Sequence, residues 1–262
     1  MPTSTDIASD ADAAPCILAN ASGASPVVLV CEHASNRIPA EFGRLGLDDA
    51  TLASHIAWDP GALGVAQALG AILDAKLVHS TISRLVYDCN RPPEAPDSIP
   101  AKSEVYAIPG NQTLDAAARA RRIEAAYRPF QHLLAQTLAA TPGAVIVTVH
   151  SFTPVYFDRP RATEIGILHD TDSLLADEML KLSAEHLPGL VERNQPYGPA
   201  DGVTHTLKEH ALKEGRLNVM LEIRNDLIAT AAQQASMAGA LAKTLTAALA
   251  NLGIKSPVKV SA

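Results

Sequence analysis

The chain has 262 residues and a mass of 27.5 kDa, a size that suits one α/β domain or at most two. Hydrophobic residues make up 47% of it, enough for a sizeable core, and the formal net charge is −7 at pH 7. This mildly acidic balance argues against the basic surface that binds DNA, RNA or an anionic membrane. No apolar stretch approaches the roughly 20 residues that a membrane-spanning helix needs.

The predicted organisation is one α/β domain between two short terminal segments. Residues 1–25 are rich in Ala, Ser and Asp, and we expect a flexible leader there. The leader lacks a basic region followed by an apolar core, so it predicts neither a signal peptide nor an anchor, and we expect a cytoplasmic protein. The domain is predicted to cover 26–255, with a C-terminal tail over 256–262.

Strands and helices alternate in the first half of the chain. The continuous apolar run Pro26–Cys31 predicts a strand that is covered on both faces. Apolar residues at helical spacing predict a helix over Gly61–Ala75, and Asp59-Pro60 marks its start because proline suits the first helical position. Further strands are predicted at Leu77–Thr81 and Leu85–Cys89.

The same alternation continues in the second half. A long helical pattern covers Thr113–Ala140, and we expect it to be bent or broken near Pro129. The elements predicted after it are a buried strand Ala144–Val149, a strand Ile165–Leu168, a helix Ser173–Glu185, a short helix Thr204–Glu214, a strand Asn218–Ile223 and a helix Ala229–Leu252. The pattern predicts a three-layer α/β fold, a mostly parallel mixed sheet with helices on both faces.

Three apolar runs end on residues that can bind a metal or move a proton. They are Val27–Cys31, followed by Glu32-His33; Val145–Val149, followed by His150-Ser151; and Leu217–Leu221, followed by Glu222. In open α/β sheets, ligands bind outside the carboxyl ends of the strands. Two histidines and a glutamate that separate strands bring to this edge predict a hydrolytic metal site.

His33 and His150 are the first two predicted metal ligands. A single histidine after a strand is more often structural, but a second one at another strand end favours a metal. Imidazole suits zinc, and a catalytic zinc has three protein ligands; manganese, cobalt or iron are possible too. Asp59 is favoured as the third ligand, although a helix N-cap would also explain it. The rivals are Asn36, whose neutral amide is a poor zinc ligand, and His55.

Glu222 is the predicted general base. A carboxylate at the end of an apolar run is costly to bury unless it is paired or linked to a metal. As a base it would take a proton from the attacking water and return it to the leaving amine. The alternative is an ion pair with Arg224, which lies two residues further on the same strand face.

Several cationic and polar residues predict an acidic substrate. Arginine binds carboxylates in a bidentate manner, so Arg84 and Arg91 are candidates to hold one, unless Asp88 is their structural partner. Arg224 is a third candidate, and His205 would reach the cleft from a loop. The expected partner is therefore a small anionic molecule.

Five motifs, in this order along the chain, carry a family resemblance. They are Cys31–Pro39 (Cys-Glu-His-Ala-Ser-Asn-Arg-Ile-Pro), Trp58–Ala62, Asp88–Arg91, Val149–Ser151 and Glu222–Leu227. With them the chain resembles the N-formylglutamate amidohydrolase family from about Pro26 to Leu252. The resemblance implies a fold similar to that of zinc carboxypeptidases and zinc N-acetylmuramoyl-L-alanine amidases.

The resemblance also implies roles for particular residues. Those amidases carry a strand-end histidine, an acidic ligand that opens the next helix, a second strand-end histidine and a late catalytic glutamate. The matching positions here are His33, Asp59, His150 and Glu222, which supports Asp59 over Asn36 as a ligand and leaves Asn36 as a candidate for substrate binding. In carboxypeptidases an Asn-Arg pair holds the substrate carboxylate, and Asn90-Arg91 is similar.

The activity that the resemblance implies is zinc-dependent removal of an N-acyl group, such as formyl, from an acidic amino acid such as N-formyl-L-glutamate. Arg84 would assist Glu222 in catalysis. The loop His33-Ala34-Ser35-Asn36 differs from the His-x-Gly-Thr loop typical of the histidine-degradation members of the family. Alternatives are a metallo-carboxypeptidase, a cell-wall-type amidase that acts on peptides, or a non-catalytic binder of acyl-amino acids.

Overall fold

The structure, a computed structural model, describes residues 14–255. Its strands are β1 Cys16–Ala19, β2 Val27–Cys31, β3 Lys76–Ser80, β4 Lys102–Ser103, β5 Tyr106–Ala107, β6 Val145–Phe152, β7 Val155–Tyr156, β8 Arg159–Pro160, β9 Ile165–Leu168, β10 Val191–Arg193 and β11 Asn218–Arg224. Its α-helices are α1 Asp49–Ala53, α2 Ala62–Leu73, α3 Ala116–Arg122, α4 Arg128–Ala139, α5 Leu174–His186, α6 His205–His210 and α7 Ala231–Asn251. None of the helices in this described part is long and apolar enough to cross a membrane.

Seven of the strands form one mixed sheet in the order β1-β3-β2-β6-β11-β9-β10. The central strands β3, β2, β6 and β11 are parallel, whereas β1 and β9 run antiparallel to β3 and β11. The other four strands form two small hairpins, β4-β5 and β7-β8. Parallel neighbours in the centre of the sheet bring their carboxyl ends to one edge, as the sequence predicts.

Helices cover both faces of the sheet and separate the core into two layers. Helices α2, α5 and α7 pack on one face against residues such as Leu29, Val147 and Leu221. Helices α4 and α6 pack on the other face, where Val30 and Met220 are buried. The central strands are apolar along their length because they are covered on both sides. The predicted three-layer α/β fold is confirmed.

The alternation of side chains decides which face carries the polar residues. Ile146 and Met220 belong to the layer under α4 and α6, and side chains two residues apart share a face. His150 therefore emerges on the same face as Ile146, and Glu222 on the same face as Met220. The two residues are also register partners across β6 and β11, so they lie side by side.

The predicted strand Leu85–Cys89 is wrong, because this buried segment is irregular and belongs to no sheet. Three of its carbonyl groups, those of Leu85, Val86 and Cys89, accept hydrogen bonds from side chains instead of from a neighbouring strand. Asn111 Nδ2 donates to Leu85 O at 2.8 Å, and Arg122 Nη1 donates to Val86 O at 3.4 Å. An apolar run can thus be buried without strand pairing when polar side chains reach its backbone.

The helix predicted over Thr113–Ala140 is present as α3 and α4, and it is interrupted just before Pro129, where the sequence predicts a bend or break. A π-helical turn over Ile123–Tyr127 joins α3 to α4, and Pro129 lies in the first turn of α4. Proline cannot donate the backbone hydrogen bond that an uninterrupted helix would require there, which explains the local change of helix type.

The prediction of a leader over residues 1–25 is corrected for Cys16–Ala19, which form β1 and pair with β3 at the edge of the sheet. Residues 1–13 of that leader, and the tail over 256–262, lie outside the described residues. The domain boundaries at 25 and 255 otherwise stay a prediction.

Gly166 lies in β9, and it provides a test of how tightly this strand packs against the segment that follows the edge strand β10. A Cβ atom at this position would lie well inside van der Waals contact with the backbone carbonyl oxygen of Gln195. We expect Gly166→Ala to lower the free energy of unfolding by about 1–3 kcal/mol, because backbone atoms cannot easily move away. Urea unfolding should show a lower midpoint with an unchanged slope.

Gly239→Ala is the matched control, since a Cβ there would meet nothing within 4 Å. Gly239 lies inside α7, so alanine should stabilise the protein by up to about 1 kcal/mol. Equal unfolding midpoints for the two variants would contradict the packing described for Gly166.

Candidate active site

His33 lies just after the end of β2 and Asp59 lies just before the start of α2, and the fold brings these two residues together. A backbone hydrogen bond from Asp59 N to His33 O, 2.9 Å long, joins the two loops. The N-cap of α2 is Gly61, which has a positive φ of 83° and makes no side-chain cap. The Asp59 carboxylate is therefore free for another role, and the alternative that it caps the helix is wrong.

His33, Asp59 and His150 form the candidate metal centre. The distance from Asp59 Oδ2 to His33 Nδ1 is 3.2 Å, that to His150 Nδ1 is 3.0 Å, and the two Nδ1 atoms are 3.2 Å apart. All three residues are at most 4% exposed. Bonds of roughly 2.0–2.2 Å at tetrahedral angles place zinc ligands about 3.3 Å apart, so the spacing suits such an ion.

The Nε2 atoms of both histidines, on the side of each ring away from Asp59, lie beside carboxylates. His33 Nε2 is 2.7 Å from Asp88 Oδ1, and His150 Nε2 is 3.2 Å from Glu32 Oε2. A proton on each Nε2 leaves a lone pair on each Nδ1, aimed at Asp59. Histidine ligands of metals are commonly held by a carboxylate in the way that Asp88 holds His33, whereas His150 Nε2 and Glu32 Oε2 form a close charge contact without a hydrogen bond. The donor set therefore fits a divalent transition metal between the two Nδ1 atoms and Asp59 Oδ2.

The electrostatics of the centre favour a positive charge. Burial lowers the pKa of His150, but Glu32 and Asp59 outweigh it and hold the pKa well above its usual range. Burial raises the pKa of Asp59, yet His33 and His150 outweigh burial and lower it. Asp59 therefore stays ionised, and the carboxylates that attract a proton to this centre also attract a metal cation.

Arg84 balances the carboxylates around the centre. Its guanidinium donates to Asp59 Oδ1 at 3.3 Å and to Asp88 Oδ2 at 2.9 Å. Its side chain is 29% exposed and lines the cleft described below. The alternative that Asp88 is a structural partner of Arg84 thus holds, and a catalytic role for Arg84 stays a prediction.

Glu222 is a buried carboxyl group at the floor of the same cleft, only 5% exposed. Burial raises its pKa to about 7, because the opposing attraction of His150 is the weaker effect. Its Oε2 atom has no hydrogen-bond partner among residues 14–255. The alternative ion pair with Arg224 does not form. A carboxyl group with this pKa can both accept and donate a proton near neutral pH, and the role of Glu222 as general base stays a prediction.

The centre opens into a cleft of about 350 Å³. The cleft contains seven of the residues that the sequence analysis selected for its site: His33, Asp59, Arg84, Asn90, Arg91, His150 and Glu222. His55, the third rival ligand, lines the cleft too, but its Nε2 atom is 3.0 Å from Glu104 Oε2 and it is not part of the metal centre. Phe152, Tyr156 and Tyr197 form an aromatic wall that the sequence analysis did not anticipate.

Residues 88–91 form a turn that joins the metal centre to a wall of the cleft. Asp88 Oδ1, which contacts His33, also accepts a hydrogen bond from Asn90 N at 2.9 Å. Asn90 Nδ2 donates to Val203 O at 2.5 Å, and Arg91 Nη1 donates to Gly202 O at 2.7 Å. Arg91 also pairs with Asp97. Both residues thus hold the 202–203 loop, and their binding of substrate stays a prediction.

Three residues predicted to bind substrate are not among the residues that line the cleft, and their binding of substrate stays a prediction. Asn36 donates from Nδ2 to Leu52 O at 2.9 Å and holds the end of α1. The remaining two are His205, 2.9 Å from Tyr127 Oη, and Arg224, which pairs with Asp226 and Glu164. Each of the three side chains has a protein partner that holds it in place.

Glu32, Asp88 and Tyr197 are functional candidates that sequence reasoning missed or placed differently. Glu32 could have been found from strand alternation, since it continues the face of Val28 and Val30 towards His150. The sequence predicts Asp88 only as a partner for arginine, whereas the structure places it against His33 as well. Tyr197 lies on an irregular loop after β10, where no local pattern indicates which way a side chain points.

The comparisons with known proteins agree with this architecture. The family model FGase, N-formylglutamate amidohydrolase, matches residues 25–229. The solved structure of gene product Atu2144 from Agrobacterium tumefaciens has 52% sequence identity and a TM-score of 0.90, covering 94% of this chain and 98% of its own. The N-formylglutamate amidohydrolase from Ralstonia eutropha JMP134 has the same fold, with 22% identity, a TM-score of 0.63 and coverage of 92% and 100%. No curated protein matches significantly.

The metal centre can be tested by removing one ligand. We expect the wild-type protein to bind stoichiometric zinc and His150→Ala to lose it, because two ligands hold the ion too weakly. His55→Ala is the matched control, since His55 lines the same cleft without being part of the centre. Elemental analysis after dialysis measures the outcome. Equal zinc content in the two variants would contradict the assignment.

Asp88→Asn tests the carboxylate that holds His33. We expect zinc affinity to fall about 10–100-fold, because the neutral amide holds the imidazole less firmly and makes it a poorer donor. Asp226→Asn is the control, since Asp226 is an exposed carboxylate that pairs with Arg224. Competition with a chromophoric chelator gives both affinities. The role of Asp88 fails if the two variants bind zinc equally well.

Proposed function

The chain belongs to the N-formylglutamate amidohydrolase family, and from this premise we propose that it is a zinc-dependent enzyme that hydrolyses the amide of N-acyl acidic amino acids, N-formyl-L-glutamate in particular. The observation that carries the proposal is the convergence of His33, Asp59 and His150 at the floor of a cleft that also contains Glu222. A cytoplasmic role in histidine degradation forms part of the proposal.

His33, Asp59 and His150 would hold the metal, with zinc as the first choice and manganese, cobalt or iron as alternatives. When bound, such an ion supplies Lewis-acid chemistry for the hydrolysis of a carbonyl compound. The two histidines suit zinc because their Nδ1 lone pairs converge while Asp88 and Glu32 lie at the opposite nitrogens.

Glu222 would move the proton. Its carboxylate accepts a proton from the attacking water, and the resulting acid gives that proton to the nitrogen of the leaving amino acid. A pKa of about 7 suits both steps, because the group can be deprotonated before attack and protonated after it. Burial keeps bulk water away from this exchange.

The arginine donors and the size of the cleft favour a small anionic substrate. Arg84 and Arg91 both line it, and each offers donors to an anion in addition to its protein partners. Its volume of about 350 Å³ lies at the small end of ligand pockets, which span about 300–1,000 Å³. A compact N-acyl amino acid fits this size better than an extended peptide chain.

The decisive experiment measures which bond is cleaved. We expect the zinc-loaded protein to release formate from N-formyl-L-glutamate, to act more slowly on N-acetyl and neutral N-formyl amino acids, and to lose activity in the presence of a chelator. Release of amino acids from short peptides without formate release would favour a peptidase instead. Binding of N-formyl-L-glutamate without turnover would favour a non-catalytic binder.

Glu222→Gln tests the proposed base. The change should leave fold and zinc content intact and lower kcat by about 10²–10⁴-fold, because the amide cannot accept the proton. Glu209→Gln is the control, since Glu209 lies on α6 outside the cleft and pairs with Lys213. If the Glu222 variant turns over at the wild-type rate, Glu222 does not act as the base.

A further inference from the structure

The arginines near the cleft differ in whether a carboxylate neutralises them. Arg84 pairs with Asp59 and Asp88, Arg91 pairs with Asp97, and Arg224 pairs with Asp226 and Glu164. These three are the arginines that the sequence analysis assigned to substrate or catalysis, and each already has an anionic partner.

Arg161 is the exception. Within the described range 14–255 it forms no ion pair, and its guanidinium makes two hydrogen bonds to neutral groups. Nη2 donates to Tyr197 Oη at 2.8 Å, and Nη1 donates to Thr153 O at 3.4 Å. Five N–H groups are available on a guanidinium, so Arg161 retains both charge and donors.

Three aromatic rings hold this guanidinium beside the cleft. Arg161 Cζ lies 4.4 Å from the ring centroid of Tyr156, 4.9 Å from that of Tyr197 and 5.5 Å from that of Phe152. These distances are typical of cation–π contacts. All three rings line the cleft, so the positive charge lies directly behind its aromatic wall.

Tyr197 connects this charge to the interior of the cleft. Its oxygen accepts the hydrogen bond from Arg161, and its own proton has no acceptor among the described residues. Burial raises the pKa of Tyr197, and the negative charge of Glu222 raises it further, so the phenol keeps its proton. A phenol that is polarised by a guanidinium and whose proton is unused is a strong donor for an anion.

We propose that Arg161 and Tyr197 form the subsite that recognises the side-chain carboxylate of an acidic N-acyl amino acid. Tyr197 donates its hydroxyl proton to the carboxylate, and Arg161 is a positioning residue that orients the phenol and supplies the compensating positive charge. This inference rests on the proposed function. It assigns the preference for acidic over neutral N-acyl amino acids to the aromatic wall. The 88–91 turn then serves to hold the 202–203 loop.

The test compares N-formyl-L-glutamate with its neutral isostere N-formyl-L-glutamine. For Tyr197→Phe we expect kcat/KM on the glutamate substrate to fall about 10–100-fold, mainly through KM, with a much smaller change on the glutamine substrate. Arg161→Gln should shift the preference in the same direction, and Arg161→Lys should restore part of it, because lysine keeps the charge but not the planar fork.

Arg159→Gln is the matched control, since Arg159 is an exposed arginine on the same β7-β8 hairpin. It removes the same charge from the protein and should leave the preference unchanged. Zinc content and circular dichroism establish that each variant is folded. If Arg161→Gln does not fold, Tyr197→Phe alone decides the outcome.

The two proposals can fail separately. If the wild-type protein releases formate and neither Tyr197→Phe nor Arg161→Gln changes the preference for glutamate over glutamine, the subsite is wrong and the function stands. If the wild-type protein releases no formate, the function is wrong. The subsite is then tested by calorimetry, which measures binding of N-formyl-L-glutamate and N-formyl-L-glutamine to zinc-loaded Glu222→Gln protein. The same two affinities are measured after Tyr197→Phe is added to this variant. An unchanged ratio of the glutamate affinity to the glutamine affinity overturns the subsite.

Discussion

Three atoms that can each bind a proton or a metal cation lie within 3.2 Å of one another in the interior of this protein. They are His33 Nδ1, His150 Nδ1 and Asp59 Oδ2, and such an arrangement is unfavourable unless a positive charge lies between them. The surrounding groups increase this demand, because Glu32 and Asp88 add negative charge from behind. Arg84 offsets only part of that charge. The rest of the site is consistent with a centre that is completed by a cation.

The sheet produces this convergence from residues far apart in sequence. The parallel arrangement of β2, β6 and β11 brings three strand ends to one edge, and strand alternation places His150 and Glu222 on one face. Asp59 arrives from the start of α2, where Gly61 provides the turn and leaves the carboxylate free. Fold and chemistry are therefore linked through register, since a shift of one residue would turn His150 towards the opposite layer.

Much of this arrangement could be predicted from local sequence patterns. Apolar runs followed by His33, His150 and Glu222 indicated both the strands and the polar edge, and family motifs favoured Asp59. The binding residues could not be predicted in the same way. His205 contacts Tyr127 and Arg224 pairs with Glu164, and both partners come from distant segments that no local pattern indicates. Only Asp226, two residues after Arg224, is a partner that could be found nearby in the sequence.

The errors in the fold have a similar physical origin. Leu85–Cys89 resembles a strand because it is apolar and buried, but Asn111 and Arg122 satisfy its carbonyls from outside any sheet. Cys16–Ala19 resembles part of a mobile segment because its surroundings are polar, yet it adds an edge strand to β3. In both cases backbone hydrogen bonds to remote groups decide the structure.

The turn at residues 88–91 has a consequence for how the protein can vary. Asp88 contacts His33 of the candidate metal centre, while Asn90 and Arg91, two and three residues later, bind the opposite loop. One inserted or deleted residue here would disturb both attachments at once. The length of this turn is therefore under a stricter constraint than its surface composition, and natural divergence in this protein should alter loops elsewhere before it alters this spacing.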